Sequence, residues 1–143
     1  MSTYDEDFYA WTQTQARNIR DFKWEVVDWE HVAEEIEALG KSDWRALENH
    51  LKNLILRCLK WEHQPQEHAR RGRCWQISMS NARDATDQIL RDNPSFRHRL
   101  DAAMAWAYPR ACRDAHQETG LPLTTFLETG VWTFDQLMDE DVW

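Results

Sequence analysis

Residues 42–63 read SDWRALENHLKNLILRCLKWEH, and this stretch decides the fold class. Its apolar side chains return every three or four positions, which is the repeat of a helix with one buried face. They are Trp44, Leu47, Leu51, Leu54, Ile55, Cys58 and Leu59. Ser42 is a favourable N-cap, and Pro65 follows the last turn. The stretch therefore predicts a helix of about six turns that packs against a core.

The segments on both sides of this helix carry the same apolar repeat. They predict four more main helices and a short one, near residues 5–22, 28–40, 74–91, 94–120 and 133–140. The connections between them are short, which favours neighbouring helices that run in opposite directions. The sequence predicts an all-α protein, an antiparallel helical bundle of about five main helices plus a short C-terminal helix. At 143 residues, we expect a single helical domain over residues 1–143.

Glycine and proline mark the expected breaks between the helices. Gly40 is predicted to end the second helix, and Gly120 the fifth. The polar segment 64–73 contains Pro65 and Gly72 and is predicted to be a mobile connection. Pro109 lies inside an otherwise helical pattern, so we expect a kink in the preceding turn.

Composition limits the class of protein and the cell compartment. The net charge is −8 and the hydrophobic share 42%, a combination typical of a folded, water-soluble chain. No apolar run approaches the roughly 20 residues that a membrane span requires, and the acidic N-terminus resembles no signal sequence. The three cysteines form no Cys-x-x-Cys pair and are expected to be reduced. We therefore expect a cytoplasmic protein without a membrane association or a cofactor.

The charge is unevenly distributed along the chain. Residues 1–43 hold 11 acids and 4 bases, residues 44–99 hold 6 acids and 11 bases, and residues 100–143 hold 8 acids and 2 bases. A net negative field disfavours a phosphate backbone. The basic middle is therefore expected to face the acidic ends or a second copy of the chain rather than nucleic acid.

A set of short motifs resembles a known family. The run EEIEALGKS at residues 34–42, RALE at 45–48 and LKW at 59–61 resemble the bacterial family catalogued as domain of unknown function twenty-nine. Positions further along that are similar to the same pattern include Trp75, Ile77, Arg83, Tyr108, Ala111 and Pro122. The likeness extends from Asp7 to about Leu137. It implies an all-helical fold and a bacterial origin, and it implies no established activity.

Carboxylates and histidines on the second and third helices are the candidates for a metal site. They are His31, Glu34, Glu35, Glu37 and His50. His31 and Glu35 lie one turn apart on the same flank, where they could share a metal or a hydrogen bond. Glu34 and Glu37 fall on the solvent side of the helix by its rotation of about 100° per residue. No Glu-x-x-His pair occurs, and Arg57-Cys58 precede the LKW block where many relatives show a histidine. A metal-dependent enzyme therefore remains the alternative hypothesis.

Nine tryptophans are the strongest compositional anomaly. Trp11, Trp29, Trp44 and Trp75 fall on predicted core stripes, so packing accounts for them. Leu56 points away from the core face of the third helix and Trp61 lies at its edge. The two side chains predict either a second buried surface, of the kind tryptophan anchors form between proteins, or cover by the fifth helix.

The basic segment that follows Trp61 adds three charges to this region. Arg70, Arg71 and Arg73 precede Trp75, and this combination of basic and aromatic residues also occurs in nucleic-acid contacts. Three cations in an acidic protein more often pair with carboxylates of the same chain or of a partner. The sequence predicts a noncatalytic protein-interaction or self-associating module, with Leu56, Trp61 and these arginines in the contact. A nucleic-acid contact through residues 70–73 is the weaker alternative.

Overall fold

The structure is a computed structural model that describes residues 3–128 and 132–143. Every regular element within those ranges is helical, which confirms the all-α prediction. The α-helices are α1 (Phe8–Arg20), α2 (Trp29–His63), α3 (His68–Asp92), α4 (Leu100–Thr119), α5 (Leu123–Glu128) and α6 (Phe134–Met138). Short 3-10 turns lie at Trp24–Val26, Pro65–Glu67, Pro94–Arg99 and Glu140–Val142.

The chain divides into two compact units, and the boundary lies inside α2. The N-terminal unit is Met1–Ser42 and the C-terminal unit is Asp43–Trp143. Each has its own internal packing, and each is described separately below. That the whole chain forms one domain stays a prediction.

Helix α2 joins the two helices predicted at residues 28–40 and 42–63. The prediction that Gly40 ends a helix is wrong, because α2 continues through it for 35 residues in all. A glycine inside a helix costs about 1 kcal/mol relative to alanine. The good helix formers around it, Ala38, Leu39 and Lys41, offset that cost. Gly120, in contrast, has a φ of +76° and does end α4.

Three helical segments form the core of the C-terminal unit. The residues of α2 in this unit run antiparallel to α3, since Asp43 pairs with Asn93 and Cys58 lies 3.6 Å from Met79. They run parallel to α4, since Lys52 pairs with Asp114 and Lys60 with Glu118. Successive helices therefore reverse direction, as the short connections require.

The interior of the C-terminal unit is filled by the stripe that the sequence predicts. Leu47, Leu51, Leu54, Ile55, Cys58 and Leu59 are all buried without measurable exposure. Alanines of α4 pack against them, together with Phe126 of α5 and Leu137 of α6. Small side chains on α4 allow the helix backbones to approach closely, and the larger side chains of α2 occupy the remaining space.

The connection between α2 and α3 is regular in structure, whereas the sequence predicts a mobile segment there. Residues Pro65–Glu67 form a 3-10 turn, and α3 already begins at His68. The ring of His68 stacks on Trp61 at 3.8 Å, and its Nε2 lies 2.6 Å from the Trp61 carbonyl oxygen. A Cβ on Gly72 would lie 3.3 Å from the Trp61 ring, so glycine permits the close approach. These contacts order a segment whose composition alone resembles a loop.

The cysteines are all free. Cys58 and Cys112 are buried, and Cys74 is exposed. Burial raises the pKa of Cys58 to about 12 and also raises the pKa of Cys112. Since the thiolate is the reactive form, these two thiols act as core side chains rather than as nucleophiles.

Candidate interaction site in the N-terminal unit

Large apolar side chains are concentrated on the surface of the N-terminal unit. The described residues expose eleven such side chains, and eight of them belong to this unit. They are Phe8, Tyr9, Phe22, Trp24, Val26, Trp29, Ile36 and Leu39. Single exposed apolar residues are ordinary on protein surfaces, whereas a contiguous group marks a contact surface.

The first half of α2 supplies the continuous part of this group. Trp29, Ile36 and Leu39 lie within an arc of about 80° on one side of the helix. They are 49%, 64% and 69% exposed, respectively. The prediction that Trp29 lies on a core stripe is wrong, and Ile36 and Leu39, which share its apolar repeat, are exposed as well. From Trp29 to Leu39 the stripe extends about 15 Å along the helix axis.

Two aromatic rings extend the stripe beyond the start of α2. The Trp24 ring lies 5.9 Å from that of Trp29 and 5.4 Å from that of Phe22. The Trp29 indole N–H donates a hydrogen bond of 2.9 Å to the Trp24 carbonyl oxygen, which fixes the Trp29 side chain to the backbone at Trp24. Phe22, Trp24, Trp29, Ile36 and Leu39 are called the apolar face below.

Phe22 is held in the apolar face by a strained backbone. Its φ is +58°, the left-handed region, and it follows the last residues of α1. The amides of Phe22 and Lys23 donate to the carbonyls of Ile19 and Asn18. This is the Schellman pattern, which normally places glycine where Phe22 stands. A side chain costs about 1–2 kcal/mol at this position, and strain of that kind concentrates at functional sites.

Replacing Phe22 by glycine is expected to raise the free energy of unfolding of the N-terminal unit by about 1 kcal/mol. The substitution removes the left-handed strain, and the side chain is 73% exposed, so little packing is lost. Chemical denaturation measures the change. The matched control is Phe22→Ala, which removes the ring but retains the strain. An equal gain from both variants would show that the ring, and not the backbone, is the source of the instability.

Carboxylates lie beside the apolar face. Glu30 and Glu37 fall about 100° around the helix from Ile36, along one edge of the stripe. Both are exposed. Residues 3–42 contain 10 acids and 4 bases, a net charge of −6. The apolar face therefore lies in a negative field.

A cleft of about 760 Å³ lies among residues of the same unit. Its wall contains Asp28, whose carboxylate Oδ2 is 2.7 Å from His31 Nδ1 and accepts a hydrogen bond of 3.2 Å from the Trp11 indole. The Asp28 amide donates to the side-chain oxygen of Gln15 at 2.7 Å. The Tyr4 ring stacks on His31 at 4.1 Å between ring centres. These contacts connect the segment that precedes α1, helix α1 itself and the start of α2.

The pairing of His31 differs from the one that the sequence suggests. His31 bonds to Asp28, three residues before it, and Glu35 instead accepts a hydrogen bond from the Tyr4 hydroxyl. That bond raises the pKa of Tyr4 to about 12, because ionised Tyr4 could no longer donate to the carboxylate. His31 and Glu35 are thus each hydrogen-bonded to another side chain.

The Asp28–His31 pair is expected to stabilise the protein most between pH 3.8 and 6.5. The Asp28 hydrogen bond raises the pKa of His31 above 6.5, so the contribution is complete below that value and is lost as the pH rises through the raised pKa. The same bond lowers the pKa of Asp28 below 3.8, so its contribution is lost only as the pH falls through the lowered value.

NMR titration of the His31 ring measures this effect directly. Asp28→Asn is expected to lower the pKa of His31, because the amide cannot offer a negative charge to the imidazolium. A pKa of His31 at or below 6.5 in the unmodified protein would contradict the expected pairing.

The residues considered for a metal site do not converge. In the ranges 3–128 and 132–143, no three histidine, cysteine, aspartate or glutamate side chains form a group that could hold a metal. Glu34 and Glu37 are exposed, as their helical positions predict. His50 belongs to the C-terminal unit, where it lines a shallow pocket with Asn53 and Arg57. The structure offers no support for the metal-dependent alternative.

The residues of the contact surface predicted around the third helix differ in their burial, and Leu56 agrees with the alternative that the chain itself covers it. Leu56 is only 5% exposed, because the core of the C-terminal unit covers it. Trp61 is half-buried, and its ring packs against His68 and Gly72. Arg70, Arg71 and Arg73 are exposed on the first turns of α3, and Arg71 lies 3.7 Å from Glu67. Leu56 and Trp61 therefore provide no exposed anchor beside these arginines.

Comparison with known proteins identifies a family. A family described as "Domain of unknown function DUF29" matches residues 3–143. No curated protein and no solved structure matches the chain. Among the helices of the described residues, none combines the length and apolar character that a membrane span needs.

Proposed function

The chain belongs to the family described as Domain of unknown function DUF29, and from that premise we propose that it is a noncatalytic interaction module. Its N-terminal unit docks a basic, amphipathic helical segment of a protein partner onto the apolar face. The observation that carries this proposal is the exposure of Trp29, Ile36 and Leu39 on one side of α2. Seven residues separate Trp29 from Ile36 and three separate Ile36 from Leu39, so the three lie on one side of the helix, and each is at least 49% exposed.

The composition of the apolar face supports a binding role. Three of its five members are aromatic, and tryptophan in particular is enriched among the anchors of protein interfaces. Large aromatic side chains bury 150–250 Å² each, by the general range for such residues. Helix-in-groove recognition uses anchors three, four or seven residues apart, and the step of seven from Trp29 to Ile36 and the step of three from Ile36 to Leu39 are among these spacings.

The charge around the apolar face selects the occupant. Residues 3–42 carry a net charge of −6, with Glu30 and Glu37 along the edge of the stripe. A second copy would place this charge against itself, and like charges across an interface cost binding energy. A partner helix with lysine or arginine beside its apolar side chains would instead meet opposite charges. We therefore choose a basic partner segment over a homodimer.

The same proposal includes the cell compartment and origin. Three free cysteines fit a reducing cytoplasm, where disulfides are rare. The bacterial origin is the one that the family resemblance implies. The interaction is thus proposed to occur in the bacterial cytoplasm.

A synthetic peptide of leucine and lysine tests the proposal. The peptide spans roughly four helical turns and places leucine on one face only. Its fluorescently labelled form is titrated with the full chain and followed by anisotropy. We expect saturable binding that weakens as salt is raised, because part of the attraction is electrostatic.

Two further peptides separate charge from shape. A scrambled peptide of the same composition is expected to bind at least about tenfold more weakly, because it presents no apolar stripe. A peptide with glutamate in place of lysine is expected not to bind. Equal binding of the ordered and scrambled peptides would contradict a docked helix. Light scattering that shows a dimer held by the apolar face would assign that face to a second copy and also contradict the proposal.

A further inference from the structure

A buried arginine in α3 has an unfilled hydrogen-bonding position. Arg83 is only 5% exposed. Its Nε donates a hydrogen bond of 2.8 Å to the carbonyl oxygen of Leu137 near the end of α6. Its Nη2 is buried, and within the described residues it has no hydrogen-bond partner. Buried polar groups in native proteins are nearly always paired, so this guanidinium atom requires an explanation.

A small pocket is lined in part by the same arginine. Its volume is about 160 Å³, and its lining residues include Gln76, Ser80 and Arg83 from α3. These three residues lie at i, i+4 and i+7, so they share one face of the helix. Each can donate a hydrogen bond. The pocket thus combines a fixed positive charge with neighbouring neutral donors.

A carboxylate already lies at the rim of the pocket. Glu140 accepts a hydrogen bond of 3.2 Å from the Ser80 hydroxyl and also lines the pocket. Among the ion pairs of the described residues, none joins Glu140 or any other acid to Arg83. The Glu140 charge opposes a second anion, but it does not pair with Arg83, whose Nη2 remains without a partner among the described residues.

We propose that this pocket binds a small oxyanion, a carboxylate or phosphate group, through Arg83. The planar guanidinium suits the paired oxygens of either group, and charge-assisted hydrogen bonds are the strong ones. The anion would fill the vacant position of Nη2 and compensate a positive charge that is costly to bury alone. Gln76 would donate to a remaining oxygen, and the Ser80 hydroxyl would donate to another after turning away from Glu140. The volume admits a small ligand or the end of a larger one.

Thermal unfolding of the full chain tests the proposal with two named anions. Acetate and inorganic phosphate are compared with chloride at equal ionic strength. The expected result is a saturable rise in unfolding temperature with at least one of the two, because a ligand that binds only the folded state stabilises it. The anion that acts at the lower concentration identifies the group as carboxylate or phosphate.

Variants locate the effect at the pocket. Arg83→Gln is expected to abolish the rise, and Glu140→Gln to increase affinity by about twofold to fivefold, because it removes a nearby negative charge. Arg91→Gln, an exposed arginine of the same helix, is the matched control and should leave the rise unchanged. If Arg83→Gln fails to fold, the NMR signal of the Arg83 Nε–H in the unmodified protein and in Glu140→Gln is expected to shift with the active anion.

Three results would overturn the proposal. The first is an equal rise in unfolding temperature with chloride and with both oxyanions, in the unmodified protein and in Glu140→Gln. It would indicate that water, and no anion, pairs with Nη2. The second is an anion response that Arg83→Gln retains. The third is a loss of stability in Glu140→Gln without any anion response, which would show that Glu140 itself compensates Arg83.

Discussion

Replacing Ile55 by alanine is expected to lower the free energy of unfolding by about 3 kcal/mol. The same replacement of Ile36 is expected to change it by less than about 0.5 kcal/mol. Both isoleucines belong to α2, and both lie on its periodic apolar pattern. Ile55 is fully buried, so alanine would leave a cavity among the core side chains. Ile36 is 64% exposed, and alanine has the higher helix propensity.

Urea denaturation followed by circular dichroism measures both changes. The shift of the midpoint at an unchanged slope gives the loss of stability. If the two units unfold in separate transitions, each variant is read from the transition of its own unit. A loss for Ile36→Ala that equals the loss for Ile55→Ala would show that Ile36 is buried. The apolar face, and the docking proposal with it, would then be wrong.

Replacing both Ile36 and Leu39 by aspartate is expected to weaken binding of the leucine–lysine peptide by at least about tenfold. Two charges would lie where apolar side chains of the partner are to be buried, and desolvating them is costly. The fold should survive, because both side chains are more than half exposed. The added negative charge would strengthen a purely electrostatic contact, so a loss of affinity separates apolar docking from charge attraction.

Ile77→Asp is the matched control for this experiment. Ile77 is an exposed isoleucine of α3 in the C-terminal unit, 54% exposed, and lies outside the apolar face. It is expected to leave the affinity for the peptide unchanged. Unchanged or stronger binding by the Ile36 and Leu39 double variant would contradict the apolar face as the docking surface.

Much of the secondary structure is predictable because helix periodicity is a local property. The stripe from Leu47 to Leu59 is buried as its spacing predicts, and Gly120 ends α4 as expected. The errors occur where weak local signals compete with favourable neighbours. Gly40 lies inside α2 because the residues around it favour a helix. Pro65 begins a 3-10 turn, which the contact between His68 and Trp61 stabilises.

The candidate site could not be predicted in the same way. The residues Trp29, Ile36 and Leu39 have the spacing of a core stripe, and spacing does not state whether another element covers the stripe. Leu56 illustrates the same point, because it points away from one core face, the sequence left open what covers it, and it is covered within its unit. The excess of acids in the first 43 residues was a visible signal, but it did not indicate which apolar residues lie beside them.

The sequence by itself determined that the chain is helical, where most helices lie and to which family it belongs. These properties depend on propensity, on a repeat of three to four residues and on short motifs, all of which act between near neighbours in the chain. Only the tertiary structure decided which apolar stripe is buried, which partner His31 takes and that Arg83 retains a vacant donor. Burial and pairing depend on residues that are distant along the chain, and a one-dimensional pattern does not contain that information.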